Sequence, residues 1–226
     1  MTAWSNWWAE LLAVCRKEIQ SELRTRYALN AVVLFAVTSV VMIGFATSLS
    51  SPDGRTLAAL FWVVVFFSAM SALSGVFVKE EESGTVLALK LAARPDAVFF
   101  GKLAFNLLLL GALVVLVTPL FLLLVGMEVY DWPVFLLVLG LGTFGLAGAT
   151  TIIAAIVART PVRGALFAVL SFPILLPLLI AAIGATQAAL DPVGAASAAA
   201  EIRLLSAYGV AMVTASWLLF EFVWWA

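Results

Sequence analysis

The sequence predicts an all-α integral membrane protein with six transmembrane helices and an amphipathic helix ahead of the first, and three observations carry this. Hydrophobic residues make up 65% of the 226 positions and charged residues only 11%, whereas soluble domains are about half apolar and about a quarter charged. Six apolar runs, each of about the 20 residues needed to cross a 30 Å hydrocarbon core, are separated by short polar connections. Lysine and arginine crowd onto alternate connections. Little chain is left for a separate soluble domain.

The first apolar run starts only behind a long charged leader, and no small-residue cleavage site follows a short hydrophobic core, so the N-terminus is expected to be retained. Within residues 1–28, Trp4, Trp8, Leu11, Leu12, Cys15, Ile19, Leu23 and Tyr27 recur at three- and four-residue spacing, while Glu10, Lys17, Gln20 and Arg24 occupy other faces. Tryptophans on the apolar stripe with cations beside it suit a helix lying at the headgroup level of the inner leaflet. A surface helix packed on a soluble partner is the alternative.

The six-helix transmembrane domain fills residues 29–226, with spans expected at 29–49, 57–78, 103–125, 133–157, 165–185 and 206–225. The last is the least clean: Glu221 sits near its end, and Trp217, Trp224 and Trp225 suit an aromatic belt. Arg16, Lys17, Arg24 and Arg26 precede the first span, Lys79, Lys90, Arg94 and Lys102 lie between the second and third, and Arg159 and Arg163 lie between the fourth and fifth. The opposite connections hold only Arg55 and Arg203. Positive residues close to spans stay on the cytoplasmic side, so both termini are expected there.

Residues 79–102 form the longest cytoplasmic connection. An acidic turn at Glu80, Glu81 and Glu82 and then Gly84 lead into a helix-prone stretch from Thr85 to Arg94, followed by Pro95. Thr85 is expected to cap that short helix, Pro95 to end it and Asp96 to cap the third span. A stiff helix held between two spans is what a partner would push on to move them; an ordinary solvated loop is the alternative. On the other side, Asp191 and Pro192 have the types of an N-cap and first helical residue, which predicts a short outer helix over about 191–205.

Within the spans, Gly140, Gly142, Gly145, Gly148 and Ala149 on the fourth, and Ser68, Ser71 and Gly75 on the second, are small-residue surfaces suited to close helix packing rather than a substrate path. Pro119, Pro173 and Pro177 remove backbone bonds and are expected to kink their helices. Asn106 is expected to hydrogen-bond a neighbouring helix.

The chain contains no histidine, which removes the commonest zinc ligand, haem axial ligand and general base, and its one cysteine, Cys15, has no internal disulfide partner. Gly101-Lys102 is followed by Leu103 where a phosphate-binding loop needs serine or threonine. No carboxylate pair, thiol cluster or intramembrane charge stands at mid-span, so hydrolysis, metal catalysis and proton-driven transport lack their usual groups. The net charge of −1 gives no reason to expect nucleic acid. A membrane subunit moved by something else, or a scaffold that recruits partners, remains.

The leader RKEIQSELRTRYALN, the stretch FVKEEESGTVLALKLAARPDAVFFGKLAFN, and the segments TPLFLLLVG and FPILLPLLIAA resemble the CcmB (haem exporter protein B) family over nearly the whole chain, the second of them most specifically. The resemblance implies an ABC-2-type, permease-like membrane subunit in cytochrome c biogenesis, in the bacterial inner membrane. It implies a CcmA-like cytoplasmic ATPase that holds ATP and magnesium, a CcmC-like haem-handling membrane protein, a small CcmD-like membrane subunit and a CcmE-like periplasmic haem chaperone. ATP hydrolysis would then drive haem export or release of the haem-loaded chaperone. Carried over residue by residue, the ATPase contact falls on Glu80, Glu81, Glu82, Gly84, Thr85, Leu87, Leu91 and Arg94, with Arg24 and Arg26 nearby; exposed charges around a short apolar helix would seat it in a groove of the ATPase.

Haem is expected as a handled ligand rather than a resident cofactor. Met42, Met70, Met127, Met212 and the tyrosines are better explained by packing, so none is assigned as its ligand. Two rival readings stand beside this one: an ABC permease exporting a lipid, glycan or drug, and a non-transporting adaptor that anchors an ATPase. The small-residue faces also permit a homodimer.

Overall fold

In the computed structural model, which describes residues 3–49, 52–158, 160, 163–192 and 198–225, every regular element is helical. α1 (Ala3–Thr25) leads through Arg26 into α2 (Tyr27–Thr47), then α3 (Gly54–Leu73), two short helices α4 (Val78–Ser83) and α5 (Val86–Ala92), and α6 (Pro95–Leu120) with a π-helical turn at Phe121–Val125. α7 (Trp132–Val157), α8 (Arg163–Ala189) and α9 (Ala199–Trp225) complete the bundle. Six stretches are long and apolar enough to cross a membrane: Leu29–Thr47, Gly54–Ser83, Pro95–Val125, Trp132–Val157, Leu166–Ala189 and Ala199–Trp225. The protein is an all-α integral membrane protein.

The bundle is built around α7. Of its apolar window 72% lies inside the protein, against 17% for the first span, because α7 offers glycine where its neighbours crowd in. At Gly142 a side chain would run into the Trp62 ring, and at Gly148 a Cβ would stand 2.6 Å from a Val213 methyl. Without a hydrophobic drive between helices in lipid, such close approach is what dispersion and interhelical hydrogen bonds require. The bonds are present: Trp62 Nε1 donates to Thr186 Oγ1 at 2.8 Å, Ser216 Oγ to the Gly148 carbonyl at 3.1 Å, and Asn106 Nδ2 to Thr151 Oγ1 at 2.8 Å. Gly145 meets Leu178.

The small residues expected on α3 and at Gly140 behave differently. Ser71 and Gly140 are exposed, and nothing lies within 4 Å of a Cβ placed at Gly75. α3 packs through its large residues instead, Phe61, Trp62, Val65 and Leu73 being fully buried, with Ser68 the one small polar residue of the expected set that is enclosed.

Helix starts follow local chemistry. Asp53 accepts from Thr56 N at 3.2 Å at the head of α3, and Asp131 accepts from Val134 N at 3.0 Å at the head of α7, where Pro133 fills an early position that has no donor to lose. Between α5 and α6, Pro95 pushes Arg94 into an extended conformation (φ −70°, ψ 148°). Pro95 thus sets the boundary as expected, but it opens α6 rather than closing α5, and Asp96 lies in the first turn of α6 rather than at its cap. Thr85 occupies the cap position of α5, where its carbonyl accepts from Leu89 N at 3.0 Å but its side chain makes no capping bond; its hydroxyl lies 2.9 Å from Ser83 Oγ.

Pro119 sits two residues ahead of the π turn, and Gly126, at φ 75°, ends the helix in the left-handed region that glycine tolerates best. Pro173 and Pro177 lie inside α8.

Two boundaries differ from expectation in ways that matter. α6 begins at Pro95, so Lys102 is a residue of the third membrane helix and not of the connection before it. On the opposite side, Asp191 and Pro192 form an exposed turn, residues 193–197 lie outside the described chain, and 199–205 are continuous with the last span rather than a separate outer helix. Arg159 also lies outside the described residues.

Candidate coupling site at the charged end

The feature that organises the charged end is a cluster of buried ions joining three elements distant in sequence. Lys102 is fully enclosed, and its Nζ donates to Glu18 Oε1 at 2.9 Å, Glu80 Oε1 at 2.9 Å and the Val76 carbonyl at 2.6 Å. The same ammonium sits 4.4 Å from the centre of the Phe77 ring. Lys17 bonds both Glu18, at 3.1 Å, and Glu80. Two carboxylates thus face two ammoniums. Ions taken out of water cost several kcal/mol each unless paired and hydrogen-bonded, and at this site the charges balance.

α1 brings the acids. Glu10, Glu18 and Glu22 share one face with Val14 at four-residue spacing, and each meets a cation or backbone donor of the 79–102 segment. Glu22 pairs with Lys79, and Glu10 Oε2 accepts from Arg94 N at 3.1 Å and Arg94 Nε at 3.5 Å. From Glu10 to Glu22 is about 18 Å of helix at 1.5 Å per residue. α1 therefore reaches from the start of the segment to its end. Between the acids, Leu11, Val14 and Cys15 are buried, and at Gly101 of α6 a Cβ would stand 2.8 Å from Val14 Cβ, so the two helices touch backbone to side chain.

The apolar stripe expected on α1 divides between two surroundings. Trp8, Leu12 and Leu23 point outward, while the docked face is Leu11, Val14 and Cys15 flanked by acids. Burial, aided by the nearby Glu18 charge, pushes the Cys15 thiol up from its ordinary value. Burial pulls Lys17 down, but its bonds to Glu80 and Glu18 outweigh that and hold its ammonium above the ordinary lysine value. Its pairing is therefore complete below that ordinary value and is lost only as pH rises through the raised one.

The expected ATPase-contact residues divide into two sets. Glu80 is corrected from exposed to buried: it is only 5% exposed and belongs to the ion cluster. Glu81 is half-buried, and Glu82, Gly84, Thr85, Leu87, Leu91 and Arg94 are exposed, Gly84 closing α4 at φ 66°. Leu87 and Leu91, four residues apart, form an apolar edge 68% and 82% exposed on a helix whose other side leans on the core through Leu89. Lys90 Nζ lies 5.7 Å from the Trp224 ring and 5.6 Å from Trp225, tying α5 to the end of α9. Arg24 and Arg26 are exposed just beyond Glu22, Arg26 adopting φ 50° at the break between α1 and α2.

Sequence reasoning missed Glu10, Glu18, Glu22 and Lys102 as one constellation. The signal was present in the four-residue spacing of the acids, but their partners lie 57 to 84 residues further along the chain.

Away from this end, Leu29, Val32, Val33, Ala72, Leu109 and Leu113 line an apolar crevice of about 240 Å³ between α2, α3 and α6. Among the described residues no cluster of cysteine and carboxylate side chains has the arrangement of a metal site.

Such a bundle, with six helices long and apolar enough to cross a membrane and a connection braced by ions at one end, is that of a polytopic membrane protein. The chain belongs to the CcmB protein family, whose model matches residues 9–222. It is 30% identical over 164 residues to heme exporter protein B of Pseudomonas aeruginosa, covering 72% of this chain and 73% of that one. With heme exporter protein B of Bradyrhizobium diazoefficiens it shares 28% identity over 202 residues, 87% and 89% of the two chains, and with that of Haemophilus influenzae 28% over 183 residues, 79% and 81%.

Proposed function

We propose that this chain is the permease-like subunit of an ABC-type haem exporter in the bacterial inner membrane, serving cytochrome c biogenesis. It carries no nucleotide site of its own in this reading; a separate cytoplasmic CcmA-like ATPase binds ATP and magnesium. The energy of hydrolysis reaches the bundle through residues 79–102 and drives haem export or release of a haem-loaded CcmE-like chaperone, in company with CcmC-like and CcmD-like membrane subunits. Both termini and the 79–102 segment face the cytoplasm, in accord with the lysine and arginine distribution. The observation that carries the reading is the exposed Leu87–Leu91 edge, held on a short helix between two membrane helices in a chain of the CcmB family. It has the form of a helix that docks in a groove.

Deletion of the gene tests this. Haem-stained c-type cytochromes should disappear and return on complementation, and affinity purification in mild detergent should recover an ABC ATPase with the chain. Unchanged c-type cytochromes in the deletion strain would overturn the proposal.

A further inference from the structure

We infer that α1 is a moving part of the coupling apparatus, a strap that binds the 79–102 segment to α6 through ion pairs centred on buried Glu18 and Lys102, so that the three shift together. The inference rests on the proposed ATP coupling and adds to it an element and a set of positioning residues, Glu10, Glu18, Glu22, Lys79 and Lys102.

The argument begins from cost. A helix whose only task is to float at the headgroups has no need to bury carboxylates, and Glu18 and Glu22 are 2% and 7% exposed. Their burial is tolerable only while the cations of α4 and α6 stay in place, because a buried charge that loses its partner is strongly destabilising. The pairs accordingly tolerate little separation. α4 cannot rise or turn without drawing Glu22 by Lys79 and Lys17 by Glu80, while Glu18 is held one turn away by Lys102 of α6. At the far end Glu10 grips the Arg94 amide at the junction of α5 and α6. Close packing of Val14 on Gly101 leaves α1 no slack against α6. A push on α5 is thus delivered to the third span at two places, through the chain at Pro95 and through α1 at Lys102.

The Glu22–Lys79 pair allows a test by charge exchange. Cys15 is the chain's single cysteine and lies on the docked face, so its alkylation by a membrane-permeant maleimide reports whether α1 is seated. Each variant is expressed in the deletion strain, with c-type cytochrome yield, ATPase co-purification and Cys15 alkylation measured together. Glu22→Lys should speed alkylation about tenfold or more, cut cytochrome yield by a similar factor and leave ATPase co-purification unchanged. Adding Lys79→Glu should restore both slow alkylation and cytochrome yield. Should Glu22→Lys fail to accumulate, Glu22→Gln alone, which leaves Lys79 facing no carboxylate there, is expected to move alkylation and cytochrome yield in the same direction by less.

Full cytochrome yield in a variant whose Cys15 has become reactive would overturn the strap. So would a charge exchange that reseats α1 without recovering cytochromes. Absence of ATPase from the unmodified preparation would instead count against the proposed function itself.

Discussion

Replacing Lys102 by methionine should destabilise the folded bundle by about 3–5 kcal/mol, the usual consequence of removing one partner from a buried ion pair. Methionine fills much of the same volume, so the loss is electrostatic rather than a cavity. Glu18 and Glu80 would be left facing one another with only Lys17 between them, and Lys17 is half in solvent. The Val76 carbonyl would also lose its donor. SDS titration of the purified protein in detergent should show the midpoint fall sharply. The variant that also carries Glu18→Gln and Glu80→Gln should recover most of the loss, since replacing a whole buried ion group is far less costly than breaking it. A midpoint unchanged by Lys102→Met would mean that the ion cluster does not hold the charged end together.

Loss of ATPase binding is expected when Leu87 and Leu91 are both changed to aspartate. Neither side chain supports the bundle, both being largely exposed, so insertion and folding should survive. In a docked groove each carboxylate would be stripped of water without a partner, which costs several kcal/mol and exceeds what a small apolar contact supplies. Co-purification of the ATPase should drop below detection while the amount of the chain in the membrane stays at its normal level. Undiminished co-purification would remove α5 from the interface.

The membrane architecture was legible because lipid enforces it: an apolar run of spanning length has few alternatives to a helix. The glycines of α7 were legible for a similar reason, as close approach in lipid favours small residues. Ser71, Gly75 and Gly140 share that composition, yet Ser71 and Gly140 are exposed and a Cβ at Gly75 would meet nothing within 4 Å, because a small residue permits a neighbour but does not supply one.

The charged end was only half legible. Leu87 and Leu91 followed from local pattern, since four-residue spacing puts them on one face. Glu80 did not, since whether a glutamate is solvated or enclosed depends on Glu18 and Lys102, far along the chain. Lys102 was counted with the connection before the third span because the charge-free apolar run begins only at Leu103; the helix itself opens earlier, at Pro95. Asp191 and Pro192 have the residue types of a helix start, but types alone do not say which helix follows.

The claim on which the account depends is that the short helix between the second and third spans faces the compartment that holds ATP. A cysteine placed at Leu91 in a Cys15→Ser background, probed with a membrane-impermeant maleimide, tests it directly. Labelling in inverted inner-membrane vesicles, with none in intact spheroplasts, is the predicted result. Labelling from the outside of spheroplasts would contradict it, because no cytoplasmic ATPase would then reach the helix.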